Sequence, residues 1–248
     1  MDVNEVQVIT TTAAPKAEIQ ALIVSPPPGH FNLDASWSYS IQLDTSARGG
    51  SVQFSGQISS TAGADGYRGS VSDVLGSMMN INEIPLVSKS EQNPDGGFTY
   101  TITFPLAMGD VPEMEVYLSD IPVSVTTLEE GNILGGSFRL EFDGEITEQI
   151  AFDSSSSLLQ SKLEKLPSIG SISVIRSSPD SQNGFSWRIE FTSDQNSGNL
   201  NNIICHGEGL TTTNIKGGAE VNVGSGGIDG SYIRGSFQVE FGKQCLEI

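Results

Sequence analysis

Gly136-Ser137-Phe138-Arg139-Leu140-Glu141-Phe142 and Gly235-Ser236-Phe237-Gln238-Val239-Glu240-Phe241 are nearly one heptapeptide written twice, 99 residues apart. The same step taken backwards reaches Tyr39, Ile41 and Leu43, which stand where Phe138, Leu140 and Phe142 stand later. Apolar residues at every second position describe a strand with one buried face. Self-similarity at a fixed period describes a chain built from repeated units.

The repeat extends around this strand. Leu159, Leu163 and Leu166 form one apolar stripe at helical spacing, after Asp153 as N-cap and before Pro167. Val71, Leu75 and Met78 repeat the stripe 88 residues earlier, behind a capping-box-like Ser70 and Asp73. Ile169, Ile172 and Val174 then match Ile81, Ile84 and Leu86 at the same step of 88. A turn follows in each copy, Pro179 to Gly184 against Glu91 to Gly97, rich in the Asx, Pro and Gly that reverse a chain. Out of it run Trp187, Ile189 and Phe191, matching Tyr100, Ile102 and Phe104 at a step of 87. A Val-x-Val strand precedes each aromatic strand, at Val6 and Val8, Val123 and Val125, and Val221 and Val223. The units are therefore expected to begin near residues 1, 120 and 218.

With 248 residues, 28 glycines and only 12 Lys and Arg against 30 Asp and Glu, the chain suits turn-rich β domains of roughly 100 residues. A net charge of -18 opposes binding to nucleic acid or an anionic membrane, which needs clustered basic side chains. No apolar run reaches the ~18 residues of a membrane span, and no basic segment leads into an apolar one as in a signal peptide. The chain is then either cytosolic or a processed piece of something longer, and an unfinished third unit favours the second.

The whole pattern resembles a repeat of very large secreted surface proteins of protists and algae, including mastigoneme-like, immunoglobulin-like arrays. The residues that carry the resemblance are Glu5-Val6-Gln7, Gly136 to Phe142, Leu159-Gln160 through Leu166-Pro167, and Gly184-Phe185-Ser186-Trp187-Arg188-Ile189-Glu190-Phe191. The second copy fits over almost its whole length. The first departs at Trp37-Ser38-Tyr39 and carries extra residues before its helix. The fold this implies is all-β: immunoglobulin-like β-sandwich repeats over residues 1–119 and 120–217, each with one short helix. Residues 218–248 would be a partial third repeat, completing or completed by a neighbour. The role it implies is structural or adhesive and extracellular, with no catalytic residues and no cofactor.

The search for chemistry agrees with that expectation. Cys205 and His206 are adjacent, so in an extended segment they point to opposite faces and cannot act as nucleophile and base. No phosphate loop, nucleophile elbow or Ca²⁺ loop is present; Glu129 and Glu130 beside Gly131 are a solvated turn or part of a weak cation site. Trp187 and Tyr100 read as core rather than sugar-stacking aromatics. Cys205 and Cys245 are either a disulfide or two free thiols. No Asn-x-Ser/Thr sequon exists, whereas Ser25-Pro26-Pro27-Pro28 is a candidate for hydroxylation and O-glycosylation, or else a rigid linker; Thr10 to Thr12 and Thr211 to Thr213 are further candidates. Two strands cannot bury an apolar face alone. Phe237, Val239 and Phe241 are accordingly read as an assembly strand joining copies of the chain head-to-tail by strand addition. The expected function is a subunit or segment of an extracellular filament; the alternative is an adhesion or carbohydrate-binding module.

Overall fold

A computed structural model describes residues 3–213 and 218–231. Among them are seventeen strands and two α-helices, and no helix is long and apolar enough to cross a membrane. The chain runs β1 (Val6–Ala13), β2 (Ile19–Val24), β3 (Ser38–Asp44), β4 (Val52–Phe54), β5 (Ile58–Ser59), α1 (Val71–Gly76), β6 (Leu86–Lys89), β7 (Phe98–Thr103), β8 (Glu115–Ser119) and β9 (Val123–Glu129). It continues through β10 (Leu134–Phe142), β11 (Glu145–Ile146), β12 (Ile150–Ala151), α2 (Ser156–Leu163), β13 (Ile172–Arg176), β14 (Ser186–Phe191), β15 (Ile204–His206), β16 (Leu210–Thr212) and β17 (Ala219–Val223).

All the pairings are antiparallel, and they form two sets. In the first, one sheet runs β6-β7-β2-β9, and β3 pairs with β4, β5 and β8 in another. In the second, one sheet runs β13-β14-β1-β17, and β10 pairs with β11, β12, β15 and β16. Each set encloses its own hydrophobic core. The aromatic strands found by the repeat are the centre of both: Tyr39, Ile41 and Leu43 on β3, and Phe138, Leu140 and Phe142 on β10, are all fully buried. Opposite them lie Tyr100, Ile102 and Phe104, and Trp187, Ile189 and Phe191. The helix stripes, Val71, Leu75 and Met78 and then Leu159, Leu163 and Leu166, are buried as the spacing requires.

Three expectations need correction. The N-cap of α2 is Ser155, whose Oγ accepts from the Leu158 N–H; Asp153 lies too far upstream. Ile81 and Ile169, both buried, keep the step of 88, but in the strands that follow it is 87. Val87 pairs with Ile102 as Val174 pairs with Ile189, so Val87 is buried while Ile84 and Leu86 are about 70 and 69 % exposed. An extra residue between helix and strand shifts the side chains to the other face.

The third concerns connectivity. β1 does not join the strands that follow it. It lies between β14 and β17 and sends Ile9 into the second core. β2 occupies the matching position between β7 and β9 in the first. Val123 and Val125 of β9 pack on the first core, and Val221 of β17 belongs to the second. The expected divisions at 119/120 and 217/218 therefore do not follow the pairing, because β9 and β17 each close the sheet before them. Thr10 to Thr12, named above as candidates for O-glycosylation, are strand residues, and the side chain of Thr11 is buried. Thr211 and Thr212 lie likewise on β16.

Tyr39 and Tyr100 offer a test of the first core. The Tyr100 hydroxyl donates to the Ala62 carbonyl at 2.6 Å, whereas the buried Tyr39 hydroxyl has no partner among the described residues. A buried polar group without a partner costs more than it contributes. Tyr39→Phe is expected to hold or raise stability, and Tyr100→Phe to lower it by about 1 kcal/mol. Urea unfolding of the two variants beside the parent measures both; equal losses would contradict the hydrogen-bond assignment.

Candidate functional site

The strand slots of the two halves are built by one repeated device. In the first half, Gln20 Nε2 donates to the carbonyls of Val111 (3.2 Å) and Pro112 (3.0 Å), and Gln20 Oε1 accepts from the Met114 N–H (3.0 Å). In the second, Gln7 Nε2 donates to the Asn201 carbonyl (2.9 Å) and Gln7 Oε1 accepts from the Ile203 N–H (2.8 Å). Each Gln also donates to the Glu two residues before it, Gln20 to Glu18 at 3.2 Å and Gln7 to Glu5 at 3.1 Å. The other carboxylate oxygen accepts a backbone N–H at 2.6 Å, from Gly131 for Glu18 and from Gly230 for Glu5. Glu5, Gln7, Glu18 and Gln20 are all buried. A buried carboxylate is held only where its lone pairs are satisfied, and each Glu-x-Gln pair does this for a strand and a crossing loop together.

The glycines are required by close approach. A Cβ on Gly131 would lie 2.3 Å from the Gly109 carbonyl oxygen, and one on Gly230 would lie 2.1 Å from that of Gly198. Any side chain would push the loop from its carboxylate.

A second device repeats at the helix end of each core. Lys89 Nζ sits 3.9 Å from the Phe98 ring centroid and donates to the Ala62 carbonyl, which Tyr100 also bonds. The Arg176 guanidinium sits 4.4 Å from the Phe185 ring centroid and donates to the carbonyls of Asp153 and Ser154, the latter also bonded by Trp187 Nε1 at 3.0 Å. Burial holds the Lys89 amine below its ordinary pKa. Trp187 and Tyr100 are completely enclosed, so neither presents a face to a sugar.

Between the halves, Glu18, Asp110 and Glu130 bring three carboxylate oxygens within 4.8 Å of one another. Glu130 is exposed and Glu18 buried. Desolvation raises the pKa of Glu18, and desolvation followed by the Asp110 charge raises that of Glu130. Among the described residues these are the ones that could hold a cation, and exposed acidic groups of this kind are common without one. Glu129, the neighbour named by sequence, pairs with Lys16 at 3.4 Å instead.

The remaining sequence candidates fall elsewhere. Phe237, Val239 and Phe241 lie outside the described residues, as does Cys245. Cys205 carries no disulfide among the described residues, and burial raises its thiol pKa to about 11. His206 turns away from Cys205 and meets Glu141 at 2.8 Å across the strands. Ser25 follows β2, with its N–H on the Pro122 carbonyl; Pro26 is buried, Pro27 half-buried and Pro28 exposed. Searched against known proteins, the chain matches no family model and no curated protein.

In the sequence Glu5-Val6-Gln7 carries the resemblance and Val6 and Val8 mark the strand, while the pairing of Glu5 with Gln7 goes unread. The signal was available: Glu18-Ile19-Gln20 repeats it 13 residues later, at a spacing too short to be one unit.

Two predictions follow from this geometry. Gln7→Ala and Gln20→Ala each strip a buried N–H and carbonyl of partners, and each is expected to cost about 2 kcal/mol or more in thermal or urea unfolding. The carboxylates add a pH dependence. A carboxyl whose folded pKa lies above the ordinary 4.5 favours the folded state fully only below that value, and the contribution is lost as pH rises through the raised one. Glu130→Gln should therefore unfold at a higher temperature than the parent at neutral pH, and the gap should shrink on acidification to about pH 5. A gap independent of pH would contradict the carboxylate cluster.

Proposed function

We propose that this chain is a structural subunit or segment of an extracellular filament or surface appendage. On this reading the two cores are tandem immunoglobulin-like sandwiches, and copies of the chain join head-to-tail by strand addition. The observation that carries it is the placement of β1. The second four-stranded sheet takes a middle strand, Val6–Ala13, whose partners lie at Ser186–Glu190 and Ala219–Val223. A sheet completed by a strand from a distant part of the chain already uses the geometry that strand addition between chains needs.

The tail residues Phe237, Val239 and Phe241 are the donor in this reading, and a neighbouring copy is the acceptor. A contact that does not close on itself propagates as a filament. The exposed end of the Ser25-Pro26-Pro27-Pro28 run is where covalent glycans would sit. No catalytic role is assigned, since His206 and Cys205 face apart and the repeated polar side chains are spent on backbone groups.

One observation favours the second reading, a surface that binds carbohydrate or another cell. Phe54 on β4 and Tyr117 on β8 flank β3, are 49 and 53 % exposed, and meet with ring planes tilted by 51° and centroids 4.4 Å apart. Exposed aromatic pairs are suited to sugar faces.

The test compares the full chain with residues 1–231 by electron microscopy and sedimentation. Fibres from the full chain that vanish on truncation are expected; identical fibres from both would overturn donation by the tail. Replacing Phe54 and Tyr117 with Ser should leave the fibres intact. If it abolishes binding to polysaccharide instead, and no fibres form from any chain, the adhesive reading replaces this one.

A further inference from the structure

We infer that β1 is an exchangeable strand: the slot between β14 and β17 accepts residues 5–13 of a second copy of this chain as well as its own. The inference rests on the filament reading only for its biological use; the slot and the strand stand by themselves.

The slot recognises β1 by identifiable groups. The Asn201 carbonyl and Ile203 N–H bracket the Gln7 amide, and the Gly230 N–H meets the Glu5 carboxylate. The Phe185 N–H donates to Thr11 Oγ1 at 3.2 Å, and Ile9 fills the core below. None of these partners belongs to the strands on either side of β1 in sequence. They lie at residues 185–203 and 230. The occupant must therefore be an extended segment reading Glu-x-Gln-x-Ile-x-Thr, which in this chain is Glu5 to Thr11 alone.

β1 is tied to the first half by Ala14-Pro15-Lys16-Ala17-Glu18, a short link holding a proline. Short, stiff hinges favour exchange, because folding back strains them while an extended hinge does not. Exchange replaces every contact of β1 by the same contact from another chain. Only hinge strain and protein concentration then separate the closed and exchanged forms.

Folding order points the same way. β10 through β17 follow one another, and most of their pairings are local to this stretch. β1 must close a loop across more than half the chain to reach Ser186–Glu190, and such pairings form late. Until then the slot stands open between two strand edges, and unpaired edges recruit strands from other chains.

Cross-strand cysteines decide it. Thr12 and Glu220 face each other in the register of β1 and β17, and both are exposed. Two single-cysteine chains, Thr12→Cys and Glu220→Cys, each with Cys205→Ser and Cys245→Ser, are mixed, refolded together and oxidised. The two new cysteines can meet only when β1 of one chain fills the slot of another. A mixed disulfide in yield well above that of Thr12→Cys with the unpaired position Glu91→Cys is expected. Equal yields, together with intrachain closure of the Thr12→Cys/Glu220→Cys chain and no linked oligomers, would overturn the exchange. If the serine background folds poorly, the native cysteines are retained and the linked peptides are identified by mass spectrometry, with the same two outcomes. Fibres without the mixed disulfide would remove the exchange and leave the filament reading. The mixed disulfide in closed dimers without fibres would do the reverse.

Discussion

Both halves depend on a middle strand paired along each edge, and both middle strands come from one stretch, residues 6–24. That constraint governs the rest. The chain lays β1 in the second sheet, turns through five residues, lays β2 in the first, completes the first core and only then supplies the second. The halves are thus joined twice, through residues 14–18 and through the Glu130 to Ile133 segment. The Asn132 side-chain amide ties the two links by donating to the Ala14 carbonyl at 2.6 Å. Further bonds cross nearby, from Arg48 to the Ser181 carbonyl at 2.9 Å and from Gln182 to that of Leu106 at 3.2 Å. A double link resists independent motion of the halves more than one linker would.

Charge is handled differently in the two middle strands. Glu5 and Glu18 hold equivalent places, but Asp110 and Glu130 lie beside Glu18, while Asn199 and Asp229 are the sequence neighbours of Gly198 and Gly230, the glycines that approach each other near Glu5. The first half therefore concentrates three carboxylates where the second has two and an amide at the matching positions. Lys16 pairs with Glu129 beside the cluster and offsets part of its charge. The cluster's raised carboxyls follow first from desolvation, with the neighbouring acidic charges adding to it.

Most of the core was legible in the sequence because burial leaves a period. Tyr39, Phe138, Tyr100 and Trp187, with their neighbours two residues on, have large side chains on one strand face, and the helix stripes add a period of their own. The site was not legible for the opposite reason. Glu5, Gln7, Glu18 and Gln20 are buried although they are polar, so a hydrophobic period reads β1 by Val6 and Val8, whereas it is Ile9 that enters the second core, Val6 being buried outside that cluster and Val8 only half-buried. Connectivity was hidden too. Similarity between Val6, Val123 and Val221 shows that strands are alike, but not which neighbour each one pairs with. Ile84 and Leu86 failed because one residue of offset reverses a strand, while their composition still suits a buried one.

Two interchangeable strands side by side raise the question of why β1 and β2 do not trade slots. The answer lies four residues beyond each Gln, where β1 has Thr11 and β2 has Val24. In the second half Thr11 Oγ1 accepts from the Phe185 N–H and lies 3.4 Å from its carbonyl, inside the sheet. Valine there would leave that N–H without its acceptor. In the first half Val24 is fully buried against the core, and threonine would bring a hydroxyl into apolar surroundings. Val and Thr are nearly the same shape, so the hydroxyl alone discriminates: each misplacement costs a buried polar group its partner, on the order of 1–3 kcal/mol. The Glu-x-Gln pair therefore says that a strand belongs in a slot of this kind, and the residue at Thr11 or Val24 says which one.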